Sequence, residues 1–211
     1  MAHRDAHQDF RLLLEELYRE RTLRFFKAGQ SIPLRTQEIW IVYRGLVQIS
    51  TLQPSGDEAL LGLVGPLMPL GRSLTLLEPY QAVAITNVDL LRLTTEEIHA
   101  SPRLARELNE QMARRLRQAE ALLALAGKRL VVDRLQGFLY LLAHEFGYST
   151  GDGVRIDVRL THQQFANALG TTRVTVTRFL GQLRDQGLIH IGRDRRIYLR
   201  HPQQLAAASC F

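Results

Sequence analysis

Cysteine is almost missing from this chain: of 211 residues only Cys210 is one. A single thiol cannot close an intrachain disulfide, and it cannot build a cysteine-based metal cluster. Long hydrophobic runs are missing too. No apolar stretch approaches the roughly 20 residues that a membrane-spanning helix needs, so no membrane partner is expected. The opening segment Met1–Phe10 is polar and charged, without the apolar core of a cleavable signal peptide; the expected location is the cytoplasm. There is no glycine-rich phosphate loop and no nucleophile motif, and the seven histidines are scattered. His3 and His7 are four apart and open to reading as ligands, but a solvated tail accounts for them as well. Nothing supports an enzyme, and no metal site is expected.

What the chain has is positive charge. Lysine and arginine number 27 against 21 acids, a formal net charge of +6 with a sequence pI near 10.0. That balance fits a polyanionic partner. The arginines gather toward the C-terminal half, which favours nucleic acid. The length allows one large domain or two small ones.

The densest pattern runs from Leu160 to Leu188. Thr161 can cap a helix, and Gln164 stands three residues on, the capping-box spacing. Phe165, Ala168 and Leu169 make an apolar face. Gly170 closes the helix. Thr172 is the next N-cap, and Val176, Leu180 and Leu183 recur at helical spacing. Arg173, Thr175, Thr177, Arg178 and Gln182 are left for solvent or nucleic acid. A cation at Arg173 is unfavourable beside a helix N-terminus; a phosphate or a guanine edge would explain it. This is a helix-turn-helix pattern, whose second helix reads DNA with its N-terminal residues. Downstream, Leu188–Ile191 and Arg195–Leu199 form a strand pair around Gly192–Asp194. Upstream, Val154, Ile156 and Val158 alternate with charged residues as a half-buried strand. Four arginines lie between Arg193 and Arg200. An arginine-rich wing beside a reader helix suits phosphate contacts, which position a protein without specifying sequence.

On these residues, and on the run ALGTTRVTVTRFLGQLRDQGLI, the region 131–200 resembles the DNA-binding domain of the Crp/Fnr family of bacterial transcription regulators. The run is close to the branch of the cyanobacterial global nitrogen regulator. The resemblance spans about residues 19–200. It implies an α+β fold: an N-terminal cyclic-nucleotide-binding-like β jelly roll, a long dimerisation helix and a C-terminal winged helix-turn-helix. The corresponding divisions are 1–18 for a tail and short helix, 19–100 for the barrel, 101–127 for the dimerisation helix, 128–200 for the DNA-binding domain and 201–211 for a tail. The implied function is a homodimeric activator on a palindromic promoter site, with double-stranded DNA and RNA polymerase as partners. The implied DNA contacts are Thr161, His162, Thr172, Arg173, Val174, Thr175, Thr177, Arg178, Arg193 and Arg195. In the nitrogen-regulator branch the half-sites resemble GTA and TAC, about eight base pairs apart, which sets their centres close to one helical turn from each other. Val174 stands where the broader family often carries glutamate, so the half-site should differ from that of a cyclic-AMP receptor. With one cysteine, the iron-sulfur sensors of the family are no guide. An effector-binding or scaffold protein of the same fold, without specific DNA binding, is the alternative; the intact arginines oppose it.

The residues support the barrel independently. Between 19 and 93, glycine and proline interrupt short apolar runs at regular intervals, as in an all-β barrel or jelly roll. Ile39–Ser50 reads as two strands joined at Arg44-Gly45, and a hairpin spans Val47–Leu63 with Pro54–Asp57 at its tip. Trp40 and Tyr43 read as core. The resemblance places an effector pocket at Leu67–Gln81, with Leu70, Gly71, Arg72 and Ser73 at the ribose-binding turn. Glu78 and Pro79 stand where a cyclic-nucleotide sensor carries its phosphate-binding pair. A carboxylate repels phosphate and proline lacks the backbone donor, so cyclic AMP is not expected. Arg115 and Glu120 resemble the helix half of a 2-oxoglutarate site, which Glu78 opposes. Arg72 either supplies a compensating cation or is a solvated turn residue. Candidate effectors are therefore 2-oxoglutarate held in an altered way, an unknown small anion, or none.

Pro102–Ala126 is the longest helical pattern. Leu108, Met112, Leu116, Ala119 and Leu123 are the expected dimer seam; the spacing does not set parallel against antiparallel. Arg106, Glu107 and Glu110 read as other faces. Gly127 and Lys128 mark a hinge. Val131–Phe146 reads as a helix with Leu135, Phe138, Leu139 and Leu142 inward, then Gly147–Gly153 as a loop. Phe10, Leu13, Leu14 and Leu17 suggest one short amphipathic helix, and the segment from His201 carries no assigned role.

Overall fold

The computed structural model describes residue 10, residues 12–16 and residues 22–206. The expectations for the tail 1–9, for Leu17 and for Cys210 lie outside these residues. The chain forms two compact units, Met1–Arg117 and Gln118–Phe211. The division falls inside the long helix rather than on either side of it.

In the first unit, Phe10 and residues 12–16 are helical and form α1. Seven strands follow: β1 (Arg24–Phe26), β2 (Glu38–Arg44), β3 (Val47–Leu52), β4 (Glu58–Val64), β5 (Pro69–Leu70), β6 (Gln81–Ala84) and β7 (Val88–Thr94). They build two sheets, β1-β7-β2-β5 and β4-β3-β6, the double-sheet arrangement of a jelly roll. The two strands expected around Arg44-Gly45 are present but do not pair. The chain changes sheet there. Gly45 has φ +93°, and a Cβ would collide with the Asn87 carbonyl, so only glycine fits. The expected hairpin forms between β3 and β4, with Leu52 opposite Glu58.

The alternation of β2 explains the layering, since successive side chains point to opposite faces of a strand. Trp40 and Val42 face the barrel interior with Val47, Ile49, Leu70 and Leu90. Ile39 and Ile41 face a second core with Leu91, Leu93, Phe10 and Leu14. Tyr43, expected in the core, is half-buried. Thr94 and Glu97 then form a capping box that starts α2 (Thr95–Ala100), and α3 (Pro102–Ala126) opens on proline, which fits a first helical turn.

The leucine stripe of α3 divides between two faces. Leu104 and Leu108 are buried in the second core of the first unit. Leu108 is therefore committed inside its own unit and is removed from the expected seam. Leu116 and Leu123 are 61% and 75% exposed, Ala119 is exposed and Met112 half-buried. Helix geometry gives the reason: steps of four residues drift by about 40° each, so three steps turn the stripe through about 120°. Glu107, expected at the surface, is only 3% exposed, as Leu108 beside it is 7%.

The second unit contains α4 (Val131–Phe146), β8 (Gly147–Thr150), β9 (Gly153–Ile156), α5 (His162–Leu169), α6 (Arg173–Asp185), β10 (Ile189–Ile191), β11 (Ile197–Leu199) and α7 (Pro202–Ala206). Its sheet runs β10-β11-β9-β8. The segment expected as a loop, 147–153, is instead strand and turn, with Gly147 opposite Ile156. Its glycines hid the pairing. Val158 is buried but beyond the strand. The segment after His201 is also more structured than expected: α7 packs on α4, and Leu205 is buried. Phe138 of α4 meets Phe165 of α5 edge-on at 5.7 Å. Each such buried ring contributes roughly 1.5–3 kcal/mol.

Candidate nucleic-acid interface

The interface is set by two capped helices. Thr161 Oγ1 accepts from the Gln164 amide at 3.2 Å, and Gln164 Oε1 accepts from the Thr161 amide at 2.8 Å. Phe165, Ala166 and Leu169 are the buried face of α5, so Ala166 takes the innermost place expected of Ala168. Gly170 ends the helix in the left-handed region at φ 59°. Two residues on, Thr172 Oγ1 accepts from the Thr175 amide at 3.2 Å and starts α6. Such a cap contributes about 1 kcal/mol. The hydroxyls of Thr161, Thr172 and Thr175 are thus engaged in the caps, Thr172 and Thr175 also touching each other at 2.9 Å.

One face of α6 is spent on packing: Val176, Leu180 and Leu183 are buried. Arg173 in the first turn and Val174, Thr177 and Arg178 away from that face are all exposed. Val174 is 78% exposed. Among the described residues no hydrogen bond or ion pair holds the Arg173 guanidinium, while Arg178 lies over the Phe179 ring at 4.8 Å. His162 reaches this exposed side from α5, its Nδ1 2.7 Å from Thr177 Oγ1.

The wing is a tight β10–β11 hairpin. The Gly192 amide donates to the Arg196 carbonyl and the Arg195 amide to the Gly192 carbonyl, both at 2.9 Å. Arg195 sits at φ 58°, an uncommon conformation for a non-glycine residue. Its four arginines do different things. Arg196 is braced by Asp157 at 2.7 Å and Asp194 at 3.4 Å. Asp157 also pairs with Arg155 at 3.2 Å. Arg193, Arg195 and Arg200 are exposed. The Arg196 amide, and then its guanidinium, hold the Asp194 carboxyl below its usual range. Asp157 and Asp194 were not singled out from the sequence; the alternation of Asp157 with Arg155 across from Arg196 was the available signal.

The expected effector residues do not form an open cationic site. Leu70 is fully buried in the barrel core, where it fills space. Gly71 lies against the Glu38 carbonyl. Arg72 opens a single 3-10 turn, donates to the Leu77 carbonyl and pairs with Glu78 at 2.9 Å. Ser73 is exposed. Arg115 donates to the Pro69 carbonyl at 2.9 Å. Arg115 and Arg72 therefore border the same segment, each already engaged. Glu120 is exposed on α3 and belongs to the other unit.

A capped helix pair, a reader face and an arginine-tipped wing define a DNA-binding winged helix-turn-helix. The comparisons agree. The family model for the Crp-like helix-turn-helix domain matches residues 103–208. The chain is 37% identical to the regulatory protein CysR of Synechococcus elongatus, covering 82% of each chain. It is 33% identical to the global nitrogen regulator of the same organism, covering 87% of this chain and 84% of that one. A CRP-family transcriptional regulator of Thermus thermophilus superposes with a TM-score of 0.71 at 25% identity, over 88% of this chain and 95% of the other. The chain belongs to the Crp/Fnr family of transcription regulators, and it is a DNA-binding regulator rather than an enzyme. No helix among the described residues is long and apolar enough to cross a membrane. Nor do the described residues hold a group of three or more metal-ligating side chains.

The split among the wing arginines gives a direct contrast. Arg195→Ala should leave thermal stability unchanged and lower the slope of log K against log salt by about 0.9, the loss of one phosphate contact. Arg196→Ala should lower the melting temperature, because it leaves Asp157 and Asp194 without their shared cation. Salt titrations of duplex binding alongside thermal melts check both; equal salt slopes in the two variants would remove the distinction.

Proposed function

We propose that the chain acts as a homodimer on a two-fold symmetric promoter site, with α6 of each subunit in one major groove. The observation that carries this is the exposed set Arg173, Val174, Thr177 and Arg178 on the helix that buries Val176, Leu180 and Leu183. Arginine pairs bidentately with guanine O6 and N7. Val174 adds an apolar contact suited to a thymine methyl. The half-site is of the GTA type, a reading supported by the similarity to proteins described as global nitrogen regulators. Bound there in the cytoplasm, the dimer activates transcription through RNA polymerase. Arg173→Ala should flatten the preference at one guanine per half-site, a loss of about 1–3 kcal/mol of discrimination. Competition between site variants measures it; equal loss on every sequence would make Arg173 a phosphate contact instead.

The dimer seam runs along Met112, Leu116, Ala119 and Leu123 of α3. Two leucines exposed at 61% and 75% on one helix face are what a symmetry mate would cover, and a two-fold dimer matches a palindromic site. Leu116→Glu would put a charge into that seam and should yield monomers in analytical ultracentrifugation. A dimer of undiminished strength would place the interface elsewhere.

Control by cyclic AMP is not part of this proposal. Glu78 already takes the Arg72 guanidinium, the cation that an anionic effector in this segment would use. The regulator works without an effector, or with one not yet identified, ahead of 2-oxoglutarate. Calorimetry with cyclic AMP should show no heat and leave DNA affinity unchanged. Tight binding abolished in Arg72→Ala would overturn the reading of this segment.

A further inference from the structure

We propose that His162 contacts a DNA phosphate through Nε2 only in its imidazolium form, so that DNA binding takes up one proton. This rests on the reading of α6 as the DNA-reading helix and adds a chemical condition to it. The Thr177 hydroxyl has two polar neighbours. Thr177 Oγ1 donates to the Arg173 carbonyl at 2.9 Å and lies 2.7 Å from His162 Nδ1. A threonine hydroxyl has one proton. With that proton given to Arg173, the oxygen can only accept from the ring. Nδ1 therefore carries hydrogen, and in the neutral ring Nε2 is left as a bare lone pair. Among the described residues Nε2 has no partner.

His162 sits beside the reader face because Thr177 is part of that face. A phosphate arriving there would meet the lone pair of a neutral ring as acceptor against acceptor. A proton on Nε2 converts it into a charged donor, and the bond to phosphate becomes charge-assisted. Among the described residues no acid pairs with His162 in advance. The facing charged groups of α6 are Arg173 and Arg178, both cations. Helix α4, which meets α5 through Phe138 on Phe165, carries Asp133, Arg134, His144 and Glu145. None of these, among the described residues, forms an ion pair with His162. Within α5, His162 is the one ionisable side chain. The phosphate is the anion that makes the imidazolium favourable. Protonation and phosphate binding then strengthen each other by the same factor.

The test is fluorescence anisotropy of the full chain on a fixed duplex carrying its site, with salt titrations between about pH 8 and about pH 6, the range in which histidine changes charge. Affinity should rise as pH falls, by at most about tenfold per pH unit for one proton. The slope of log K against log salt should steepen by about 0.9, one added phosphate contact. His162→Gln should lose the pH dependence and keep one salt slope across the range. His162→Arg should show the steeper salt slope at both ends of the range. Full pH dependence retained in His162→Gln would overturn the proposal, as would affinity indifferent to pH in the unaltered chain. Nitrogen-15 chemical shifts of the free, unaltered chain provide a reading that needs no variant: a ring protonated on Nε2 alone at the higher pH contradicts the proposal. No duplex binding at any pH would instead defeat the DNA-reading assignment on which it rests.

Discussion

One helix can bury only one side, and α6 buries Val176, Leu180 and Leu183. The rest of the DNA-binding unit depends on that constraint. With those three side chains held in the core, rotation about the helix axis is fixed. Val174, Thr177 and Arg178 then project away from the core, and Arg173 is left exposed in the first turn. The caps set the other degree of freedom. Thr161 and Gln164 start α5, Gly170 ends it, and Thr172 starts α6 two residues later. So short a turn allows few angles between the helices. The exposed face follows from packing and capping, and no residue on it has a place in the core.

Charge is arranged on the same principle. An arginine that must touch DNA has to be free of acids, and an arginine that must hold the wing has to be paired. Arg196 takes the second role with Asp157 and Asp194; Arg193 and Arg195 flank Asp194 in sequence and are left to solvent. In the barrel unit the balance falls the other way. Arg72 is matched with Glu78 and Arg115 with a backbone carbonyl. Residues 160–200, the helix-turn-helix and its wing, carry seven arginines against two acids within a chain of net charge +6.

Where function was legible in the sequence, local chemistry determined the structure. Thr161, Gln164, Gly170 and Thr172 act within a few residues of themselves, so the helix-turn-helix could be read from its punctuation. Pro102 and the run to Ala126 marked α3 for the same reason. The main misses turned on partners outside the stretch being read. β8 exists because Gly147–Thr150 pairs with β9, which a glycine-rich stretch does not announce. Leu108 looked like part of one stripe with Leu116, and only the barrel core shows where that stripe divides. Leu70 resembled a pocket residue by position but fills the barrel interior. The pairing of Arg72 with Glu78 turns two separately read charges into one neutral unit.

In the proposed function the exposed face of α6, presented twice by a symmetric dimer, reads a short sequence. Selection of bound duplexes from a random-sequence library by the purified chain tests it most directly. The expected outcome is enrichment of an inverted repeat whose half-sites contain a guanine and have their centres about one helical turn apart. Recovery of duplexes with no shared sequence, at affinities set by salt alone, would contradict it.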